Sequence, residues 1–178
     1  KLLGNTLLFD RETGELGALL NANALTQYRT GAAAAVGAKY LARPESENMV
    51  LVGVGQLAPF NVAAMLAVMP NIKKVTIVNP HTPAKAAELL AGITSAVDRL
   101  LVEDGKKRTA EIVASDDTEE AVREADIIVT ATMAFDPVIK DVWVKPGAHL
   151  SCIGADLRGK QEVESKLLSR ARVFGDDE

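Results

Sequence analysis

Short uninterrupted apolar runs alternate with longer segments of helical spacing along most of this chain. A strand that is covered on both faces of a parallel sheet shows such a continuous apolar run, whereas an amphipathic helix repeats its apolar positions every three or four residues. The pattern predicts, in chain order, strands over 6–9 and 15–20, a helix over 23–42, a strand over 49–52, a helix over 56–68, a strand over 74–78, helices over 82–90 and 93–101, a strand over 110–114, a helix over 117–124, strands over 126–130 and 148–153, a helix over 161–170 and a strand over 172–174.

The order of these elements predicts two kinds of structure. The turn cluster Asp10-Arg11-Glu12-Thr13-Gly14 between the first two apolar runs is typical of a β-hairpin. From residue 49 onward, strands alternate with helices, which predicts a mostly parallel sheet with helices on both faces. We therefore expect an α/β protein with a Rossmann-like, doubly wound fold, preceded by a helix and a hairpin.

Composition and charge exclude several classes of function. The 178 residues are 48% hydrophobic, 25% charged and carry a net charge of −4, which gives no electrostatic footprint for nucleic acid or an anionic membrane. Residues 50–69 carry no charge, but glycines and a proline near their middle favour a strand, a turn and a helix over a membrane span. Cys152 is the single cysteine, so the sequence favours a reducing, cytoplasmic compartment and predicts no metal site.

A glycine turn directly follows the predicted strand 49–52. It reads Gly53-Val54-Gly55-Gln56-Leu57-Ala58, a G-x-G-x-x-A pattern that opens a predicted helix. In this context Gly53 permits a tight turn, Gly55 lets a pyrophosphate approach the backbone, and Ala58 keeps the helix close to the strand. The amides at the helix N-terminus then face the phosphates. The turn therefore predicts a dinucleotide site that binds NAD(P).

The ends of two further strands bear on the choice of cofactor. Asn79 follows the second strand, where an acidic residue would grip the ribose 2′-hydroxyl of NAD(H). Because no carboxylate lies there and His81 supplies a nearby donor, the sequence favours NADP(H) over NAD(H). Thr130 and Thr132 follow a later strand, and small polar residues at such a position line the cofactor crevice of open α/β sheets.

Three segments together resemble the ornithine cyclodeaminase/mu-crystallin family. They are the helix with Arg29-Thr30-Gly31-Ala32, the glycine turn, and the segment Pro146-Gly147-Ala148-His149 with Ile153-Gly154-Ala155-Asp156 and Gly159-Lys160. The resemblance implies a Rossmann-like domain joined to a second domain for substrate binding and dimerisation. On that basis residues 1–22 are a remnant of the second domain, residues 23–44 a connecting helix and residues 45–178 the NAD(P)-binding domain.

The resemblance also implies roles for individual residues. Arg29 matches the arginine that holds the substrate carboxylate, and Asp156 matches the catalytic carboxylate that exchanges a proton with the substrate nitrogen. Positions that contact the cofactor are Gln56, Leu57, Asn79, Thr132, Ile153 and Lys160, with Thr30 near the phosphates. The turn departs from the family pattern, because the usual glutamine next to its last small residue is Leu57 here.

The implied function is hydride transfer at the α-carbon of a small amino acid or a cyclic imine carboxylate. A cyclodeaminase would recycle its nicotinamide cofactor, whereas an imine reductase would consume it. Two alternatives stay open: a non-catalytic protein that binds NADP and a small ligand, and an oxidoreductase of shikimate-dehydrogenase type. The family's upstream substrate-binding Arg and Lys are absent from a chain that begins at Lys1, so we expect part of a longer protein and a homodimer formed through its missing domain.

Overall fold

A parallel five-stranded sheet with helices on both faces forms the body of the molecule. The computed structural model describes residues 4–175, so the outermost residues of the predicted ranges 1–22 and 45–178 lie outside the described part. The elements are β1 (Asn5–Phe9), β2 (Leu16–Asn21), α1 (Ala22–Leu41), β3 (Asn48–Val52), α2 (Ala58–Val68), β4 (Lys74–Val78), α3 (Ala84–Glu103), β5 (Glu111–Ala114), α4 (Thr118–Glu124), β6 (Ile127–Thr130), a 3₁₀ turn (Asp141–Trp143), β7 (His149–Cys152) and α5 (Ser165–Arg170).

The strand order confirms the predicted doubly wound α/β fold. The sheet runs β5-β4-β3-β6-β7, and all four neighbouring pairs are parallel. The chain enters at the central strand β3, builds outward to β5, and then returns to the other side of β3 with β6. The topological switch point therefore lies between the carboxyl ends of β3 and β6, where open α/β sheets bind their ligands.

Alternating residues of the central strands enter two separate hydrophobic cores. On β3, Met49 and Leu51 pack under α1, α2 and α3, whereas Val50 and Val52 pack on the face of α4 and α5. All four side chains are at most 1% exposed. This two-sided burial explains why the strand reads as an unbroken apolar run, because neither face tolerates a polar side chain.

The predicted hairpin is present as a separate two-stranded antiparallel sheet of β1 and β2. Its turn is stabilised locally, because Asp10 Oδ1 accepts hydrogen bonds from the amides of Glu12 and Thr13 at 2.9 and 2.7 Å. Gly14 adopts φ +73°, which a side chain would disfavour. Several apolar side chains of the hairpin are exposed in this chain: Leu7, Leu8, Phe9, Leu16, Leu19 and Leu20.

Helix α1 packs closely on α2 through small residues. A Cβ atom on Gly31 would lie 2.6 Å from the carbonyl oxygen of Phe60, so only glycine permits this approach of the two helices. Ala34 and Ala38 of α1 are buried in the same core as α2. The C-terminal half of the 20-residue helix is thus packed on the Rossmann-like body, and its buried residues all lie between Thr30 and Ala38.

The structure corrects three predicted helix starts. Asn21, not Asn23, caps α1: its side-chain oxygen accepts a hydrogen bond from the Asn23 amide. Helix α2 begins at Ala58 rather than 56, because the glycine turn extends to Leu57. Thr82 was expected to cap α3, but Pro83 precedes its first turn and no side chain caps it. Residues 84–103 form one continuous helix, since no residue between the two predicted helices breaks the backbone ladder.

Two predictions near the C-terminal end are wrong. The helix predicted over 161–170 begins only at Ser165, because residues 161–164 run extended beside 138–139. The Glu162 carbonyl oxygen accepts hydrogen bonds from the amides of Val138 and Ile139, and Val163 forms a bridge with Ile139. Residues 172–174 were expected to form a strand, but within the described residues β7 is the edge of the sheet and nothing pairs beyond it.

Over the described range 4–175, no helix combines the length and the apolar character that crossing a membrane would require.

Candidate cofactor and active site

The first glycine of the turn is fixed by packing inside the protein. Gly53 has φ +115°, a conformation that L side chains rarely adopt, and its amide donates a hydrogen bond to the Val78 carbonyl oxygen at 2.9 Å. A Cβ atom at this position would lie 2.6 Å from the carbonyl oxygen of Ala131. Gly53 therefore joins the ends of β3 and β4 and lets the loop after β6 approach.

The second glycine faces open space instead. A Cβ atom on Gly55 would meet nothing within 4 Å, and the residue is exposed. The amides of Gly55, Gln56 and Leu57 find no hydrogen-bond acceptor among the described residues, and α2 begins directly after them. Free amides at the start of an 11-residue helix, next to a position without a side chain, have the geometry that a pyrophosphate requires.

Helix α1 brings two predicted site residues to the beginning of α2. Thr30 is 7% exposed, and its hydroxyl has no hydrogen-bond partner among the described residues. Its neighbour Gly31 touches the backbone of Phe60 in the first turn of α2. A buried hydroxyl that lacks a partner is costly. Because this oxygen is closed to solvent, the predicted position of Thr30 near the phosphates stays a prediction. Arg29 precedes it and is exposed.

The residues predicted to contact the ribose lie at the end of β4. Asn79 is half-buried, and its side-chain oxygen accepts a hydrogen bond from the His81 amide at 3.3 Å. His81 itself is exposed. A cavity of about 480 Å³ opens beside this turn, and its lining residues are Pro80, Pro83, Asp116, Asp117, Thr118, Val138 and Trp143. Asp116 and Asp117 therefore place two carboxylates around this neighbouring cavity.

The predicted threonines after β6 are tied to a carboxylate that the sequence analysis did not single out. Thr130 is fully buried and its hydroxyl donates to Glu162 at 2.8 Å. Thr132, 8% exposed, donates to Glu162 through both its amide and its hydroxyl at 2.7 Å. Ile153 lies alongside at the end of β7, and its amide donates to the Thr130 carbonyl oxygen. The Thr130 hydroxyl thus points into the protein interior, toward Glu162, rather than to the surface of the crevice.

The predicted catalytic carboxylate is exposed and paired with a lysine. Asp156 Oδ1 accepts from Lys160 Nζ at 2.5 Å; the Asp156 side chain is 67% exposed and that of Lys160 only 2%. The hydrogen bond with Lys160 lowers the pKa of Asp156 below its usual value, and the positive charges of Lys160 and Arg29 lower it further. Asp156 is therefore ionised at neutral pH.

Two buried residues of the site were missed at the level of sequence. Glu162 fell within a predicted helix, where a glutamate is ordinarily a solvated side chain, and only the extended path of 161–164 brings it inside. Asn61 lies in the first turn of α2, completely buried; its amide nitrogen donates to the Leu57 carbonyl oxygen, while its side-chain oxygen has no partner among the described residues. Its place in the uncharged run 50–69 was the available signal, because within α2 this polar side chain stands alone among apolar ones.

The structure gathers most of the predicted residues around one crevice. The glycine turn, Thr132 and Ile153 follow neighbouring strands at the carboxyl edge of the sheet, and Thr30 adjoins the start of α2. Asn79 and His81 lie at the next strand, one place farther from the switch point. Within residues 4–175 no group of His, Cys, Asp and Glu side chains could hold a metal ion. The chemistry of the crevice is that of backbone amides, hydroxyls and a carboxylate–lysine pair.

A doubly wound sheet with a G-x-G-x-x-A turn at its switch point defines a Rossmann-like nucleotide-binding domain. The sequence also matches the model of the ornithine cyclodeaminase/mu-crystallin family over residues 3–178, nearly the whole chain. The chain belongs to this family. That finding decides against the shikimate-dehydrogenase type considered from the sequence.

Individual relatives agree with the family assignment. The chain is 36% identical over 173 residues to a Delta(1)-pyrroline-2-carboxylate reductase of Paracoccus denitrificans, covering 97% of this chain and 51% of that protein. Among solved structures, it resembles the Thermococcus litoralis Delta(1)-pyrroline-2-carboxylate reductase in complex with NADH and L-proline, with a TM-score of 0.81, 30% identity and coverage of 93% and 47%. The iminosuccinate reductase of Paracoccus denitrificans in complex with NAD+ gives a TM-score of 0.75 at 31% identity, with coverage of 97% and 49%.

The chain therefore spans about half the length of the relatives that it matches.

Proposed function

We propose that this chain is the nicotinamide-dinucleotide-binding part of an enzyme that transfers hydride at the α-carbon of a small amino acid or a cyclic imine carboxylate. The observation that carries the proposal is the glycine turn at the switch point, with an open Gly55 and free amides leading into α2. Three relatives at 30–36% identity are named as a Delta(1)-pyrroline-2-carboxylate reductase, a ketimine reductase mu-crystallin and an alanine dehydrogenase, which supports the same chemistry.

In this proposal the glycine turn binds the pyrophosphate and Thr30 adds a hydroxyl to it. Gln56, Leu57, Asn79, His81, Thr132, Ile153 and Lys160 complete the cofactor contacts, while Thr130 supports them from inside. The bound nicotinamide supplies or accepts the hydride. Arg29 holds the substrate carboxylate through the paired hydrogen bonds that a guanidinium offers. Asp156 exchanges a proton with the substrate nitrogen.

The ionised state of Asp156 fixes its role in each direction. As a carboxylate it accepts a proton from the substrate amine when hydride leaves the α-carbon. In imine reduction it must first bind a proton, which the charges of Lys160 and Arg29 oppose. We therefore expect substrate binding to change its surroundings in the reductive direction, with the carboxylate of the substrate offsetting the charge of Arg29.

The cofactor is NAD(P), and the finer choice of NADP(H) remains a proposal. It is supported by Asn79, which puts no negative charge at the end of β4 against a 2′-phosphate. The carboxylates of Asp116 and Asp117, which line the neighbouring cavity, would instead disfavour the negative charge of a 2′-phosphate. Parallel titrations with NADPH and NADH decide the matter: tighter binding of NADPH supports the proposal, and tighter binding of NADH refutes it.

The arrangement of domains is proposed in the same way. Residues 1–22 would belong to a second domain that completes the substrate site and forms a homodimer, residues 23–44 would connect the two, and residues 45–178 would bind the cofactor. The exposed apolar side chains of the hairpin support this division, because such a surface ordinarily packs against another part of the protein.

Replacement of Asp156 by Asn in the intact protein tests the function. We expect turnover to fall by about 10²–10⁴-fold, the usual contribution of a general acid–base residue, while the cofactor still binds. Asp104→Asn is the matched control: it removes the same charge from an exposed ion pair with Lys106 after the end of α3. Normal rates in Asp156→Asn on a substrate that the wild type converts would refute the catalytic assignment.

Cofactor consumption separates the reaction types. An imine reductase or a dehydrogenase changes NAD(P)H stoichiometrically with substrate, whereas a cyclodeaminase releases ammonia from ornithine without net change. Saturable binding of cofactor and ligand without any turnover would instead support the non-catalytic alternative of mu-crystallin type.

A further inference from the structure

Glu162 is the most deeply buried charged residue that the proposed chemistry does not use. It is 2% exposed and forms no ion pair with any described residue. Its two carboxylate oxygens accept four hydrogen bonds. Oε1 accepts from the amide and the hydroxyl of Thr132, each at 2.7 Å, and Oε2 accepts from the Thr130 hydroxyl and the Gly154 amide, each at 2.8 Å.

The partners of Glu162 require an acceptor on both oxygens. A backbone amide can only donate, and one such amide, from Thr132 or Gly154, faces each oxygen. A carboxylate satisfies both. A glutamine side chain has one oxygen and one NH₂ group, so in either orientation its NH₂ would face a backbone amide, donor against donor. The site is thus built for a carboxylate and not for a neutral group of the same shape.

Glu162 also connects the two loops that flank the crevice. Thr132 belongs to the loop after β6, and Gly154 is the second residue of the loop after β7, two residues before Asp156. At the other end of that second loop, Lys160 contacts both Asp156 and the sulfur of Met133. The two loops are therefore joined twice, by a buried carboxylate at the base and by a lysine nearer the surface.

We infer that Glu162 is a positioning residue of the hydride-transfer site, which holds the loop carrying Asp156 against the loop after β6. This inference rests on the proposed function. The tight packing of Gly154 supports it, because a Cβ atom there would overlap the Thr132 carbonyl oxygen and the Glu162 carboxylate. Glu162 acts through these loops rather than on substrate, so its loss affects the placement of Asp156 more than the affinity for ligands.

The test compares Glu162→Gln with Glu164→Ala in the intact protein. Glu164 is the matched control, because its carboxylate also accepts a backbone amide, that of Asp141 at 2.8 Å, but outside the crevice. We measure thermal unfolding, kcat and KM at saturating cofactor, NADH affinity by fluorescence, and hydrogen exchange at the amides of Thr132 and Gly154. Glu162→Gln should lower kcat at least tenfold with a smaller change in KM. It should also speed exchange at least tenfold at the amide, of Thr132 or Gly154, that faces the new NH₂ group.

Glu164→Ala should lower the unfolding temperature without changing kcat or these two exchange rates, which separates positioning from a general loss of stability. If Glu162→Gln does not fold, Thr130→Val removes one buried donor of the same carboxylate at nearly constant shape and should lower kcat several-fold. A wild-type kcat with unchanged exchange at both amides in either variant would overturn the inference.

The exchange measurement needs no cofactor, so it stays informative if the proposed function fails. A wild-type protein that neither binds nicotinamide nor turns over substrate would refute the function. Unchanged exchange in Glu162→Gln would refute the link between the loops, even in a protein that proves to be an active enzyme.

Discussion

Gly55→Ala separates binding of the cofactor from stability of the fold. The added methyl group would meet no atom of the protein within 4 Å, and the backbone of Gly55 does not have a positive φ. The free protein should therefore keep its stability, and the smaller entropy of an unfolded chain with alanine can add about 0.4–1 kcal/mol. The methyl group points into the open space beside the free amides, where a pyrophosphate would have to lie.

The expected loss of affinity follows from the contacts that the methyl group displaces. Moving a phosphate away from one amide costs a hydrogen bond to a charged group, about 1.5–3 kcal/mol. Since 1.4 kcal/mol corresponds to a factor of ten, the dissociation constant should rise by a factor of about 10–150.

Thermal unfolding with and without cofactor measures this loss directly. At a ligand concentration of 100 times Kd, binding stabilises the wild type by about 2.7 kcal/mol, and a tenfold weaker affinity leaves about 1.4 kcal/mol. For a domain of this size each kcal/mol moves Tm by about 2–4 °C. The cofactor-induced shift should therefore fall to half or less in Gly55→Ala, while Tm without cofactor stays at or slightly above the wild-type value.

Gly53→Ala is the contrasting variant, because its methyl group would clash with Ala131 and its φ of +115° would be strained. Strain of this kind costs about 1–3 kcal/mol, so Tm should fall even without cofactor. Should Gly55→Ala bind the dinucleotide as tightly as the wild type, the glycine turn would not be the phosphate site and the reasoning would fail.

The remaining predictions concern the packing and the charges that support the site. Gly31→Ala should destabilise the protein by about 1–3 kcal/mol through overpacking against Phe60, whereas Gly37→Ala, whose Cβ would lie 3.9 Å from His149, should be neutral or stabilising in the same unfolding assay. Burial would raise the pKa of Asp126, but Lys145 and two backbone amides hold it below the usual 3.8. That contribution to stability is present above pH 3.8 and is lost as pH falls through the lowered pKa. Asp126→Asn should therefore lower Tm at pH 7, and the difference from the wild type should vanish in acid; a constant difference would contradict the assignment.

Much of the fold could be predicted because each buried strand imposes its environment on the sequence. Both faces of β3, β4 and β6 are covered by helices, so these strands consist largely of continuous apolar runs that predict buried strands. The glycine turn could also be predicted from the sequence. Gly53 is required by the backbone conformation of the turn, and Gly55 leaves space for a ligand. The family resemblance was carried by the motifs after Arg29 and around Gly154, and the family match over residues 3–178 confirms it.

The errors arose where tertiary contacts override local propensity. Residues 161–164 have a helical composition, yet they run extended because the Glu162 backbone and side chain bond to loops from elsewhere in the chain. The periodicity of a sequence describes local structure, so it does not indicate hydrogen bonds to loops from elsewhere in the chain. Likewise Thr130 was expected at the crevice, but its hydroxyl turns inward because a buried carboxylate lies there to accept it.

The loop after β6 lies between two glycines that come from its neighbouring strands. Gly53 after β3 leaves space for the Ala131 carbonyl, and Gly154 after β7 leaves space for the backbone of Thr132. With both neighbours reduced to backbone, this loop can approach them closely enough for Glu162 to bond across it. The glycines at 53 and 154 therefore serve assembly of the crevice, and Gly55 alone among the three is free to serve the ligand. A sequence motif of glycines thus combines two physical functions, and only the space around each Cβ position separates them.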